Sequence, residues 1–310
     1  MVRDGGVPLG RALRIKGLMK PFEELVSTSA TSDLCVFGYD TPNLGDCMQT
    51  LALLQHVRPR EFVLRDTLPP RTDLMLLANG WLSHGKFPRR VDFQRIRYAG
   101  IHLAEEFRTS QVVDELQDSG TIGCRDTLTL EFLARHGVPA VLSRCATLTF
   151  PLYTGERRGI VCVDVDERVI QRVAWKYAGN EPISRFTHVC SWLGPNCVQD
   201  GTLMARMRDA YDHLQIYRKA RLVVTTKVHV ALPSLASGTP VVYIGPRDDR
   251  IGVFDGLPLG EGWEQYRWFR VLPPKMHPFP KPISTKDAAA NYLSVLNTLL
   301  ADTRTSGSRA

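Results

Sequence analysis

The stretch Ala220-Arg-Leu-Val-Val-Thr-Thr-Lys-Val-His-Val-Ala-Leu-Pro-Ser-Leu-Ala-Ser-Gly-Thr-Pro-Val-Val-Tyr-Ile244 decides the fold. Arg221 to Thr225 is a short β-branched run with the look of a buried strand. Lys227-Val-His229 then opens a short helix running through Val230 to Ser237. Thr239 to Ile244 is again strand-like. Strand, loop, helix and strand in this order argue for a largely parallel sheet covered by helices, the α/β class.

Working outward, the same alternation returns. Upstream, Leu34 to Phe37 is a strand, Gly38 to Gly45 supplies turn residues, and Asp46 starts a helical pattern. Further strands are predicted at Glu61–Leu64, Leu74–Ala78, Thr121–Cys124 and Pro139–Leu142, with a helix from Arg125 to His136. The pattern lapses between Phe150 and Gly159, where Pro151, Gly155, Glu156, Arg157 and Arg158 read as a linker. A second series starts with Ile160–Val165 and a long helix from Leu203 to Lys219. The chain therefore divides into a basic extension (1–32), two Rossmann-like domains (33–150 and 151–285), a C-terminal helix (286–302) and a disordered tail (303–310).

Length agrees with that division, because 310 residues exceed what one core usually holds. Lys and Arg number 39 against 32 Asp and Glu, a formal charge of +7 that favours anionic ligands. No long Lys/Arg block and no interleaving of aromatic with basic residues occurs, so nucleic acid is not an expected partner. Seven cysteines without a C-x-x-C pair support neither a disulfide framework nor a metal centre, and point to a reducing compartment. No apolar stretch is long enough for a secretion signal or a membrane span. A cytoplasmic protein is expected, with the basic stretch Arg11 to Lys20 available for peripheral contact with the inner face of a membrane.

Ligands of parallel sheets bind where strands end in loops. Lys227 and His229 stand at such an end, a cation and an imidazole beside helix N-terminal amides, suited to anion binding and proton transfer. A structural, helix-packing role for His229 weighs about as much. Arg250, in the loop after the next strand, is a further cation or simply a solvated one. Asn43, Gly45 and Asp46 form a turn that can present amides to a ligand, or merely start a helix with Asp46 near its cap. Asn79-Gly80-Trp81, with His84, follows another run and can stack a sugar on Trp81, although Asn-Gly is also a plain turn signal. His102 and Arg144, after strand-like runs, read as structural. Phosphate-loop, dinucleotide and zinc-protease patterns are missing, so no metal and no cofactor is expected.

Three segments together resemble the polysaccharide pyruvyl transferases. The 220–244 stretch is similar to their strand, Arg-Leu-His, helix, Gly-x-Pro signature. Thr121 to Val138, with Gly123-Cys-Arg-Asp126 and Gly137, is similar to their strand, Arg-Asp, helix, Gly segment. Thr41 to Gln49 is similar to their Asn-x-Gly-Asp loop. The resemblance implies a GT-B fold and transfer of the carboxyvinyl unit of phosphoenolpyruvate onto two hydroxyls of a saccharide, free or lipid-linked, to give a cyclic ketal. It puts the family's histidine at His229, its first-domain arginine at Arg125, and a lysine, Lys227, where the family has arginine. Lysine is a point charge rather than a two-pronged grip. A GT-B glycosyltransferase using a nucleotide sugar is the alternative, and a non-catalytic carbohydrate-binding protein the third reading.

Overall fold

The computed structural model describes residues 33–83, 85–178, 181–190, 203–245, 249–254, 257 and 281–306. Among these residues ten strands form two wholly parallel sheets. The first contains β1 (Leu34–Gly38), β2 (Glu61–Leu64), β3 (Arg71–Leu82), β4 (Phe93–Leu103), β5 (Ile122–Cys124) and β6 (Ala140–Leu142), in the order β2-β1-β3-β4-β5-β6. The second contains β7 (Ile160–Val163), β8 (Ile183–Phe186), β9 (Leu222–Thr225) and β10 (Val241–Tyr243), in the order β10-β9-β7-β8. Counted from its own first strand, each sheet begins in the same way: the second strand on one side of the first, the third on the other, the fourth beyond it. Each sheet therefore reverses its winding between its first and third strands, and a crevice opens at the carboxyl ends there.

Alternation along the strands explains how the core is shared. Val161, Val163 and Val223 point into one continuous apolar cluster that also holds Leu34, Val36, Leu76 and Ile101 of the first sheet. Ile160, Cys162, Leu222 and Val224, one residue out of phase, point to the other face and a smaller cluster. The segment expected as a linker lies between the sheets but is tied down. Tyr153 N–H donates to the Ser237 carbonyl at 3.0 Å and Arg158 N–H to the Lys219 carbonyl at 2.9 Å.

Seven helices are described: α1 (Leu44–Leu54), α2 (Ser110–Gln117), α3 (Thr127–Arg135), α4 (Glu167–Val173), α5 (Leu203–Lys219), α6 (Val228–Ala236) and α7 (Lys286–Ser306). α1 begins two residues before Asp46, because Asn43 rather than Asp46 caps it, its side chain accepting from Gly45 N–H at 3.0 Å. Every residue of α1 is buried, Asp46, Gln49 and Thr50 included. α3 likewise starts after Asp126, not at Arg125. α7 returns to the first sheet, where Tyr292 packs on β4 beside Gly100 and its hydroxyl lies 3.4 Å from the Ala99 carbonyl. It also continues past 302 to Ser306, into the stretch expected to be a disordered tail; 307–310 and the basic extension 1–32 fall outside the described residues.

Candidate active site

Arg125 is placed by a small buried construction. Its N–H donates to the Ile101 carbonyl at 2.7 Å, continuing the β4–β5 pairing past the end of β5. The next residue, Asp126, caps α3 with one carboxylate oxygen, 2.9 Å from Thr129 N–H, and meets His102 Nδ1 at 2.7 Å with the other. Burial pushes the Asp126 carboxyl up, but the hydrogen bond from His102 and the nearby charges win, and its pKa lies below the usual range. With its backbone pinned on both sides, Arg125 sends its guanidinium toward the second sheet. Only 1% of the residue is exposed, and its Nε has no partner among the described residues.

α1 supplies the contact that aims it. Gln49 Oε1 accepts from Arg125 Nη1 at 3.2 Å, while Gln49 Nε2 donates to Asp46 Oδ1 at 3.3 Å. Asp46 lies 3.6 Å from Arg65, and burial raises its carboxyl pKa in spite of Arg65 and Arg125. Gly80, with φ of +93°, leaves room for this, since a Cβ there would meet Gln49 Oε1 at 2.9 Å.

From the second sheet, β9 ends at Thr225, whose hydroxyl accepts from Lys227 N–H at 3.0 Å and turns the chain into α6. His229, in the first turn of α6, brings Nε2 to 3.4 Å from Arg125 Nη1. A guanidinium can only donate, so Nε2 accepts and the ring is neutral with its proton on Nδ1. Gly45 permits this approach. A Cβ on it would meet His229 Nδ1 at 3.0 Å and the imidazole's own Cβ at 3.2 Å.

Around this pair a cleft of about 120 Å³, partly open to solvent, is lined by Asn43, Gly45, Asp46, Trp81, Arg125, His188, Thr226, Lys227, Val228, His229 and Tyr243. Seven of the residues singled out in the sequence thus meet at one place. Asn79 does not: it lies inside β3 rather than after it, 1% exposed, and its amide donates to the Gln49 carbonyl at 3.2 Å. The strand runs on to Leu82, so the turn suggested by Asn-Gly does not form. His84 and the side chain of Arg250 lie outside the described residues; the backbone of Arg250 belongs to the short helical turn Asp249–Phe254. Among the described residues no group of His, Cys, Asp and Glu is placed to hold a metal ion.

Residues 99–248 match the polysaccharide pyruvyl transferase family model. This span, just under half of the chain, contains Arg125, Lys227 and His229, so the cleft centres on the segment that is similar to that family; the Asn43 to Gln49 loop lies outside it. The family is one of transferases, with a saccharide as acceptor. No curated protein matches the chain. Among solved structures, a functionally uncharacterized protein of Klebsiella pneumoniae superimposes with a TM-score of 0.43 and 13% identity, over 72% of this chain and 87% of the other.

Among the groups that shape the site, Gln49, Asp126 and His188 were not singled out in the sequence. Gln49 sits three residues after Asp46 on one helix face, a spacing that was there to be read. Asp126 as a cap was legible in Asp-Thr-Leu-Thr before the helix. His188, in an aperiodic stretch after β8, carries no local signal at all.

Proposed function

We propose that the protein transfers the carboxyvinyl unit of phosphoenolpyruvate to two hydroxyls of a saccharide, forming a cyclic ketal. The reading is carried by one observation: Arg125 from the first sheet and His229 from the second meet at 3.4 Å beside Lys227, within a segment matching pyruvyl transferases. The donor carries a carboxylate and a phosphate. Arg125 and Lys227, on opposite walls, are the cations that would hold them.

The free protein rests with His229 neutral and Arg125 donating to it. A donor anion that takes the Arg125 guanidinium for itself releases Nε2. Nε2, once released, takes up a proton and delivers it to C3, which becomes a methyl group; the first hydroxyl bonds to the electron-poor C2 that this creates and returns its proton to Nε2. The bond from C2 to the phosphate oxygen breaks, the second hydroxyl closes the ketal, and its proton leaves with phosphate. No cofactor enters this scheme. Among the described residues no helix is long and apolar enough to cross a membrane. Phosphoenolpyruvate is a cytoplasmic metabolite, and we place the reaction there, with a lipid-linked acceptor at the inner membrane face in view of the basic stretch Arg11 to Lys20.

The test is phosphate release from phosphoenolpyruvate in the presence of nitrophenyl and lipid-linked sugars. Release that requires both components supports the reading. Thermal stabilisation by nucleotide sugars, with none by phosphoenolpyruvate, would transfer it to the glycosyltransferases.

A further inference from the structure

His188 lines the cleft, yet the scheme above gives it no part. It is 2% exposed and held from three directions. Its N–H donates to Asp164 Oδ2 at 3.0 Å, its carbonyl accepts from Leu44 N–H at 3.3 Å, and its Nδ1 lies 2.9 Å from the Tyr217 hydroxyl on α5. The residues beside it join the two sheets. Val189 bridges Asn43, and Cys190 N–H donates to the Pro42 carbonyl at 2.7 Å. Asp164, which anchors the His188 N–H at the end of β7, adopts φ of 51°, a conformation with a cost for a residue other than glycine.

With Nδ1 turned to Tyr217, Nε2 lies on the far side of the ring, and it has no hydrogen-bond partner among the described residues. Buried polar atoms in folded proteins find partners, and one left without, in a residue that lines a cleft, points to a ligand. The charged and titratable groups around the ring are Lys227, His213 and Asp209, with the Asp164 carboxylate on its backbone N–H and the Tyr217 hydroxyl on Nδ1. Burial, reinforced by His213 and Lys227 against Asp209, holds the imidazole pKa down to about 3, so the ring is uncharged at neutral pH. An uncharged nitrogen adds little to the grip on a carboxylate or phosphate, which Arg125 and Lys227 already face. What it adds is direction.

We infer that His188 Nε2 is the hydrogen-bond partner of an acceptor hydroxyl, so that the saccharide is selected by the position of that hydroxyl. The ligand's identity as a saccharide rests on the pyruvyl-transfer reading; the unpartnered nitrogen does not. A site built to hydrogen-bond one hydroxyl discriminates strongly against analogues lacking it, because the buried partner is then left unpaired.

The experiment is long-range ¹H–¹⁵N spectroscopy of the full chain labelled at histidine, with His188 assigned from the His188→Gln variant. Phosphoenolpyruvate, inorganic phosphate and a panel of nitrophenyl hexopyranosides are added separately, then together. The His188 Nε2 resonance is expected to move with at least one glycoside and to stay within its linewidth on adding phosphate. Tyr217→Phe, which removes the partner at Nδ1 while keeping the ring's packing, should weaken that glycoside by about tenfold. A resonance that responds only to phosphoenolpyruvate or phosphate, or to nothing in the panel, overturns the assignment. If a glycoside moves His188 while phosphoenolpyruvate neither binds nor releases phosphate, the donor reading fails and the hydroxyl site stands.

Discussion

After β1 the chain enters a helix with no exposed residue, and the polar groups of that helix are spent on one another: Asp46 on Arg65 and Gln49, and Gln49 on Arg125. After β9 it enters α6 through Lys227 and His229, and the Lys227 side chain forms no cap for that helix. One loop leaves the first strand of its sheet and the other the third strand of its own, the two strands between which each sheet reverses its winding. The first is a rigid mount that fixes one guanidinium, whereas the second presents a cation and an imidazole to the cleft. Division of labour of this kind is how a site combines preorganised electrostatics with proton transfer.

The contrast is broken most severely at His229. His229→Ala should lower turnover by roughly 10²–10⁴-fold with little change in donor affinity, the range for losing a proton-transfer group. Steady-state rates beside melting temperatures separate lost chemistry from misfolding. Near-normal turnover in a folded variant would remove the imidazole from the mechanism.

On the rigid side the largest loss is expected in stability. Asp126→Asn keeps an oxygen to cap α3 but replaces the carboxylate that His102 meets by a neutral amide, at a cost of ~1.5–3 kcal/mol, the worth of a hydrogen bond to a charged group. The pH dependence has a definite sign. The folded-state pKa of Asp126 is depressed, so its contribution is complete above the unfolded carboxylate value near 4 and disappears as pH falls through the lower folded value. Urea melts should therefore show wild type and Asp126→Asn converging in acid, and a constant gap from pH 7 down to pH 2 would contradict the pairing.

How much of this was legible in the sequence follows the same contrast. Continuous apolar strands such as Glu61–Leu64 and the 220–244 unit are visible because nothing else has that pattern. β4 was half hidden: the run before His102 reads as strand-like although His102 itself lies within the strand, but the first half carries Arg95 and Arg97, half-buried, and does not read as an apolar run. β8, an edge strand of four residues, has too little pattern to detect. Lys227 and His229 were readable from their place at a strand end, whereas Arg125 came through family resemblance. His188 depends on contacts with Asp164, Leu44 and Tyr217, distant in sequence, and no local rule predicts such a meeting.

A smaller effect is expected where the two loops touch. Gly45→Ala puts a methyl group against the His229 ring and the Asn43 oxygen, 3.1 Å away, so the imidazole must shift by a few tenths of an ångström. Misplacement on that order up to an ångström lowers rates by up to about 10²-fold. Alanine is the better helix former, so the melting temperature should hold or rise. Lost activity with unchanged stability would separate positioning from folding. Unchanged activity would mean that the contact between the loops has no bearing on catalysis.

The mildest change concerns Lys227, which falls on an arginine in the signature that the 220–244 stretch resembles. Lys227 faces the cleft from a backbone fixed by Thr225, so Lys227→Arg should keep the charge in place and add a second, parallel hydrogen bond to a planar anion. If the donor presents a carboxylate there, its KM should fall by up to about tenfold, the worth of one charge-assisted hydrogen bond after the cost of ordering the longer side chain. Turnover should change by less than that, since the contact is made equally before and during the reaction. A nucleotide diphosphate, with oxygens spread over two phosphorus atoms, gains less from a fork at one position, and its affinity should stay level. Measuring KM for phosphoenolpyruvate and protection by nucleotide sugars in the same variant therefore tests the donor. A KM raised tenfold or more, in a protein that melts normally, would show that the cleft is shaped around lysine and that the likeness to the arginine-bearing signature does not extend to how the anion is held.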